Sequence, residues 1–225
     1  VVTCAIWPMV GCVMTPPIKT AGYGAPGNAE PDEVAVGVGH DAWIRAADGG
    51  SVDVGLLGAS VSIPVAHKER DKGTSSLRIE AGGDGNVDGE GLSWADAWGG
   101  VRYGIAPRYD QRPGFAWDLE LGGGGGSFFG LGYGGGFVGA GLGYWVHPVI
   151  APFGRARAQF TSGGATPATF WWDVRGGIGL AAPRGISGHV LVGGGGWIAP
   201  GETASDQWLS LEVGLTFRIP TPSKS

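Results

Sequence analysis

Cysteine is nearly absent from this sequence, and charge is scarce. The 225 residues contain two cysteines, Cys4 and Cys12, and none lies beyond residue 32. The body of the chain therefore has neither a disulfide framework nor a cysteine metal cluster. Charged residues make up only 16% of the chain, and the net charge of −5 comes without a basic stripe. We therefore expect no nucleic-acid partner.

Helical periodicity is also missing. From Glu33 onward, no stretch repeats its apolar residues with the period of an amphipathic helix. Glycine is abundant instead: there are 47 glycines and ten tryptophans, whereas the usual glycine share is roughly 7%. Disordered chains are poor in aromatic residues and rich in charge. The glycines therefore belong to an ordered, tightly packed all-β structure or to a repeat.

Strict alternation of apolar and polar residues is the clearest positive signal. It is typical of β-strands with two different faces. This alternation runs through residues 115–121, 170–180 and 208–219. In the last segment, 208–219, one face carries only large apolar side chains, which are Leu209, Leu211, Val213, Leu215, Phe217 and Ile219.

About ten segments alternate in this way, so we predict an up-and-down antiparallel β-barrel of about 10 strands (8–12). Most are about 10–14 residues long, enough for a tilted membrane strand of roughly 9–11 residues. Short turn-like connectors, such as Asp84 to Gly91, predict hairpins between neighbours. A phase slip at Leu56-Leu57 predicts a β-bulge. The segments are 33–46, 51–66, 75–84, 93–106, 114–125, 132–146, 149–161, 169–182, 187–199 and 206–219.

Most charges within the segments fall on the face opposite the apolar one, and they come from many strands. This pattern favours a barrel in lipid, with its apolar face outward and its charges paired in the lumen. All the bases among them are arginine, which pairs with carboxylates in two-pronged geometry. The four lysines, Lys19, Lys68, Lys72 and Lys224, fall in predicted tails or turns. The predicted lumen charges are Arg78, Glu80, Asp96, Arg102, Asp118, Glu120, Arg155, Arg157, Asp173, Arg175, Glu212 and Arg218.

Aromatic residues gather toward the segment ends, which predicts aromatic girdles at the two membrane interfaces. Tryptophans in the core of a soluble barrel are the alternative. Glycine runs such as 122–126 and 193–196 would relieve crowding where a closed sheet bends and make room for inward arginine and tryptophan. The predicted girdle residues are Trp43, Trp94, Tyr144, Trp145, Trp171, Trp172, Trp197 and Trp208.

The N-terminus is a separate region. Residues 1–11 are predominantly apolar and are interpreted as the remnant of a signal peptide. The tetrapeptide Met9 to Cys12 resembles a bacterial lipobox, which implies cleavage before Cys12 and lipidation of its thiol; an ordinary signal with an incidental cysteine is the alternative. Residues 12–32 then form the lipobox cysteine and a flexible Pro/Gly tether. Residues 33–219 form the barrel, and 220–225 a C-terminal tail.

The whole pattern resembles the small glycine-rich outer-membrane β-barrel proteins of Gram-negative bacteria. The residues that carry the resemblance are the lipobox-like tetrapeptide, the tether, and strands such as 139–144 and 211–217. It implies location in the bacterial outer membrane, with membrane lipids as partners, and names no protein partner. One departure is that Phe217 is not terminal, although many such barrels end on an aromatic residue.

Three functions remain open at this point. The first is a structural envelope barrel with an ion-paired, largely plugged lumen. The second is a narrow pore for small solutes, and the third is a soluble lipocalin-like ligand-binding barrel, in which the apolar face would point inward. Partition into detergent separates the third from the others, and conductance separates the first two.

No enzyme active site, cofactor or metal is expected. Ser187 and His189 share one strand face, but no orienting acid is identified beside them. The Asp84–Gly89 stretch begins like a calcium loop, but residue 95 is Ala where an EF-hand needs Glu, so a polar turn is the better interpretation. The inward carboxylates could form a glycosidase pair, but the balancing arginines favour structural ion pairs.

Overall fold

Ten β-strands close into a single barrel in the structure, a computed structural model that describes residues 17–19, 24–47, 50–71, 73–88, 91–128, 130–163, 166–183, 185–198 and 206–221. Every strand pairs antiparallel with its sequence neighbours, and β1 closes the barrel against β10. The predicted all-β up-and-down barrel is therefore confirmed. The strands are β1 (Glu33–Ala47), β2 (Gly50–Arg70), β3 (Gly73–Asp88), β4 (Gly91–Ala106), β5 (Gly114–Phe128), β6 (Leu131–Trp145), β7 (Ile150–Gly163), β8 (Thr166–Ala181), β9 (Ile186–Ile198) and β10 (Asp206–Pro220).

An even number of strands brings the start of β1 and the end of β10 to the same end of the barrel, where Glu33 lies opposite Pro220. We call this the terminal end, and the opposite one the distal end. Across the described residues, no helix is long and apolar enough to cross a bilayer. Residues 1–16, including the lipobox-like tetrapeptide and Cys12, lie outside the described ranges.

The β3–β4 connection differs from its prediction. The stretch Asp84 to Asp88, predicted as part of a turn, belongs to β3 instead. Asp84 lies opposite Gly58 of β2, and Gly85 lies opposite both Leu57 of β2 and Ala95 of β4. Polar composition suggested a turn, but backbone pairing on both sides continues the strand because pairing needs no particular side chain.

The β-bulge predicted at Leu56-Leu57 is also wrong. The register of β2 against β3 shifts between Pro64 and Ala66 instead. Leu56 keeps the inward phase and is 1% exposed, while Leu57 keeps the outward phase and is 67% exposed. The two leucines look like a slip in the pattern because Leu56 packs in an apolar cluster inside the barrel, together with Ile18 and Trp98.

The two faces of the sheet differ in solvent exposure, and in the direction that the alternation predicted. In β10, Val213 is 45% exposed whereas the adjacent Glu212 is 2% exposed. The same contrast holds in β5 between Leu119 and Glu120. Large apolar side chains therefore cover the outer surface of the barrel, and charged side chains are buried in the lumen.

The predicted aromatic girdle is wrong for most of its members. Only Tyr144 and Trp172 lie on the outward phase of their strands. The outer surface carries other aromatic residues, such as Phe115, which packs against Tyr144 with ring centroids 4.7 Å apart at the terminal end. The tryptophans follow the inward phase because the wide lumen needs large side chains to fill it. Those inside are Trp43, Trp94, Trp145, Trp171, Trp197 and Trp208.

The segment that precedes β1 enters the lumen. Pro26 and Gly27 lie near the terminal end, where the indole of Trp145 donates to the Pro26 carbonyl at 3.0 Å. Farther in, Lys19 reaches the middle of the barrel and Ile18 packs against distal-half residues. We call the described residues 17–19 and 24–31 the plug. A flexible tether was expected here, but plug residues Ile18, Lys19 and Ala25 are almost fully buried.

Candidate functional site: the barrel lumen

The lumen contains three layers of side chains. The terminal layer holds plug residues and arginines, the middle belt holds most of the ion pairs, and the distal layer is mainly aromatic. All twelve predicted lumen charges are buried on the inward face. Nine of them lie in the middle belt, namely Glu80, Arg102, Asp118, Glu120, Arg155, Arg157, Asp173, Arg175 and Glu212.

Glu120 is the centre of the first network in the middle belt. Its carboxylate accepts hydrogen bonds from Arg157 Nε at 2.9 Å and from Arg102 Nη2 at 3.3 Å. Arg102 also lies 3.1 Å from Glu80, through its Nε. Asp118 extends the network, because it accepts a hydrogen bond of 2.7 Å from Arg155 Nη2. These groups come from β3, β4, β5 and β7, so the ion pairs join separate parts of the wall.

Arg175 is the centre of the second network. Its Nη1 donates to Asp41 at 2.8 Å and to Glu212 at 2.9 Å, and its Nε lies 3.2 Å from Asp173. The other oxygen of Glu212 lies 2.8 Å from His189 Nε2. Arg157 and Asp173 face each other in the β7–β8 register, which brings the two networks side by side.

The plug supplies one more cation to the belt. Lys19 Nζ lies 2.7 Å from Glu120 and 3.4 Å from Glu80. The faces of two aromatic rings also lie near it, with the Trp98 centroid at 4.4 Å and the Phe137 centroid at 5.1 Å. Arg102 and Arg157 share the Glu120 carboxylate with it. Lys19, expected in a tail, is therefore a lumen residue.

The backbone of the plug is held separately from the Lys19 ammonium. The amides of Ile18 and Lys19 both donate to Gln159 Oε1, at 3.0 and 3.1 Å. The Lys19 carbonyl accepts from Gln159 Nε2 at 2.7 Å and from Arg157 Nη1 at 2.9 Å. Nearer the terminal end, Gly179 leaves space for the plug, since a Cβ there would lie 2.7 Å from the Ala25 methyl.

Arginines in the terminal layer bind carbonyl oxygens more than carboxylates. Arg78 donates to the Glu33 carbonyl at 2.5 Å and to Ser62 Oγ at 2.8 Å. Arg218 donates to the carbonyl of Ala182 and lies 3.6 Å from the Glu33 carboxylate. These arginines fix the plug and the strand ends to one another, rather than meeting the acids of the middle belt as expected.

Arg112, in the β4–β5 connection, closes the same layer. Its guanidinium lies 3.5 Å from the centroid of the Trp145 ring and donates to the Gly27 carbonyl at 2.8 Å. Burial lowers the pKa of Arg112 to about 10. Burial also raises the pKa of Glu30, a plug residue that accepts a hydrogen bond from the Tyr109 amide.

Asp96 lies in the distal layer, away from the arginine networks. Its carboxylate accepts hydrogen bonds from Trp94 Nε1 at 3.1 Å, Tyr133 Oη at 3.2 Å and the Asp84 amide at 3.1 Å. The remainder of the layer is a cluster of indoles. Trp43 stacks on Trp208 with centroids 5.2 Å apart.

Small cavities lie among the described side chains of the lumen. A cavity of about 50 Å³ lies at the terminal end, lined among others by Asn28, Arg78 and Thr216. A space of this size holds only a few water molecules.

Several functional residues were missed by the sequence analysis. Asp41 and His189 occupy inward positions of their strands, so the alternation in β1 and β9 could have identified them. Glu33 begins β1 with the same phase. Lys19 carried no such signal, because the plug has no strand period.

The described residues do not form the geometry that the hydrolase and calcium-site alternatives require. His189 Nε2 pairs with Glu212, while Ser187 Oγ has no hydrogen-bond partner among the described residues, so these two residues form no Ser–His pair. Asp84 of the calcium-like stretch points into the lumen rather than into a turn. Among the residues that the structure describes, no group of three or more His, Cys, Asp or Glu side chains could hold a metal ion.

Comparisons with known proteins give a structural similarity only. No protein-family model and no curated protein matches the sequence. Among solved structures, the barrel is similar to an outer membrane channel from Pseudomonas putida F1, with 11% sequence identity and a TM-score of 0.42. The similarity covers 90% of this chain and 100% of that one. Similarity at this level does not indicate a shared function.

Proposed function

We propose that this protein is a structural β-barrel of the bacterial outer membrane whose lumen is closed by ion pairs and by its own plug. The observation that carries the proposal is the inversion of the two faces. Apolar side chains lie outside on strand after strand, and the charged side chains of the middle belt lie inside. A water-soluble barrel would expose a large apolar surface in this arrangement, whereas a barrel in lipid needs it.

The height of the apolar surface supports the same proposal. In β10, the outward row runs from Leu209 to Ile219 without a charged residue. Ten steps of about 3.3 Å, tilted by about 40°, span about 25 Å along the barrel axis. That is the height of the apolar band of outer-membrane barrels.

The contents of the lumen favour a closed barrel over an open pore. In the middle belt, arginines and carboxylates from several strands meet directly, at 2.7–3.3 Å in the first network. A water-filled pore would leave such charges solvated and apart. The plug occupies the space that a permeating solute would need.

A soluble lipocalin-like barrel is disfavoured by the same geometry. It would require the apolar face to line a ligand cavity and the charged face to meet water. Leu211, Val213 and Leu215 point outward instead, and the lumen contains charged groups and indoles.

Two measurements on the purified full chain test the proposal. Phase separation in a cloud-point detergent should place the protein in the detergent phase, because the outer surface is apolar. In planar bilayers, the inserted protein should show no steady conductance. Recovery in the aqueous phase would contradict the membrane barrel, whereas recovery in detergent with steady single-channel current would favour the narrow pore.

A further inference from the structure

The middle belt contains more carboxylates than guanidiniums. Among the described side chains it holds six acids and four arginines, Lys19 adds one cation, and the imidazole of His189 lies 2.8 Å from Glu212. The arginines are Arg102, Arg155, Arg157 and Arg175, and the acids are Asp41, Glu80, Asp118, Glu120, Asp173 and Glu212. The two carboxylates that Lys19 contacts also pair with arginines of the wall, Glu80 with Arg102 at 3.1 Å and Glu120 with Arg157 at 2.9 Å, so the ammonium is a further cation that shares these acids.

The surroundings of the Lys19 ammonium match the chemistry of an alkylammonium group. Two carboxylates, from Glu80 and Glu120, accept from the nitrogen at 3.4 and 2.7 Å. The rings of Trp98 and Phe137 lie at cation–π distance. Carboxylates neutralise and orient an ammonium, while aromatic faces favour an organic cation over a strongly hydrated metal ion.

The Lys19 side chain is separable from the segment that carries it. Gln159 and Arg157 hold the backbone of residues 18 and 19 through four hydrogen bonds that do not involve Nζ. Removal of the side chain beyond Cβ would therefore leave a shaped hole between two carboxylates and two rings. The missing fragment, from Cγ to Nζ, has the composition of n-propylammonium.

We propose that the middle belt of the lumen is a binding site for a primary alkylammonium group, in which the plug residue Lys19 now takes the place of a free amine. The proposal rests on the proposed function only in taking the lumen to be closed by the plug. In the wild type the Lys19 side chain occupies this site, so a free amine binds there where that side chain is removed.

The test is chemical rescue of Lys19→Ala in the full chain in detergent. We expect the variant to unfold at a lower temperature than the wild type, and n-propylammonium chloride to raise that midpoint saturably. Equal concentrations of 1-propanol, which has the same shape without the charge, and of sodium chloride should not. Neither the wild type nor the exposed-lysine variant Lys68→Ala should respond.

Two further variants locate the site. Lys19→Met fills the hole without charge, so n-propylammonium should not change its midpoint. In Lys19→Ala/Glu80→Gln, one of the two carboxylates is neutral, so rescue should be weaker and the protein more stable without amine than Lys19→Ala alone. A rescue that is equally strong in all three variants would overturn the proposal.

If Lys19→Ala does not fold on its own, the same comparison is made on refolding yield. A higher yield in n-propylammonium than in 1-propanol supports the site, and equal yields overturn it. Equal effects of the amine, the alcohol and the salt on a folded variant also overturn it. The detergent-phase measurement is made on the same samples, so loss of amine binding from a protein that still partitions into detergent refutes the site and leaves the membrane barrel standing.

Discussion

The outer and inner faces of the same strands follow opposite rules. Outward positions in β10 read Leu209, Leu211, Val213 and Leu215, while the inward positions between them read Ser210, Glu212 and Gly214. The outer face contributes to stability through its apolar area and has few specific contacts. The inner face contributes through particular partners at particular distances. We therefore expect substitutions on the outer face to act through polarity alone and those on the inner face to act through the identity of a partner.

The largest effect should come from an unpaired charge in the lumen. Arg175→Met removes the cation shared by Asp41, Asp173 and Glu212. Loss of one partner from a buried ion pair costs about 3–5 kcal/mol, and this should be measured as a fall in the free energy of unfolding in detergent. Arg108→Met, at an exposed pair with Glu69, is the control and should change stability by less than about 1 kcal/mol.

The double variant Arg175→Met/Glu212→Gln should recover part of that loss, because one of the uncompensated acids is neutralised. If the single and double variants were equally stable, or if both matched the wild type, the charges would be solvated as in a water-filled pore. Single-channel current from the same samples should then also be present.

The next largest loss of stability should come from a charge on the outer face. Val213→Arg places a guanidinium near the middle of the apolar band and should cost about 2–4 kcal/mol if that face meets lipid. Gln207→Arg, at the distal edge of the same row, should cost about 0–1 kcal/mol. Unfolding from lipid vesicles measures both, and equal costs would argue against the bilayer. Leu119→Arg in β5 should repeat the result of Val213→Arg.

The indole cluster of the distal layer should contribute a smaller energy, measured as the coupling between two of its rings. Trp43 and Trp208 stack at 5.2 Å, and aromatic pairs contribute about 0.5–1.5 kcal/mol beyond their buried area. A double-mutant cycle with leucine at both positions should measure a coupling in that range. A coupling of zero would mean that these rings only fill space.

One outward residue breaks the rule of the outer face. His40 is exposed at mid-strand, opposite Val213 of β10 and Leu57 of β2. His40→Leu should therefore stabilise the barrel in lipid, on the order of 1 kcal/mol from the added apolar area. The reference is the neighbouring change Val38→Leu, which adds less apolar area and no change of polarity. A loss of stability in His40→Leu would assign the imidazole a role that the bilayer alone does not explain.

The smallest effect on stability is expected at Cys12. If the lipobox resemblance is correct, Cys12→Ser abolishes labelling by a fatty-acid analogue in a Gram-negative host. The unfolding free energy of the barrel should not change, since the apolar band does not depend on the lipid. Unchanged labelling in the variant would refute lipidation at this residue.

Alternation made most of this fold predictable from the sequence. A period of two assigns each residue to one face, which is why all twelve predicted charges lie inside. Most strand bounds agree closely as well, although β2 and β3 run beyond their predicted ends. The same period places Trp94 in phase with Asp96 and Trp171 in phase with Asp173, so the girdle prediction was wrong because it followed position along the strand and not phase. The position of Lys19 could not be predicted, because it depends on a segment without secondary structure that meets residues about 60 and 100 positions away.

The central claim is that the outward row of β10 meets lipid, and depth-dependent fluorescence quenching tests it most directly. In a background with Cys4 and Cys12 replaced by Ser, a small environment-sensitive probe is placed on Val213→Cys, and on Glu69→Cys at the exposed end of β2 as the control. We predict that lipids brominated deep in their acyl chains quench the probe at position 213 strongly and the probe at 69 hardly at all. Equal, weak quenching at both positions would contradict the membrane barrel.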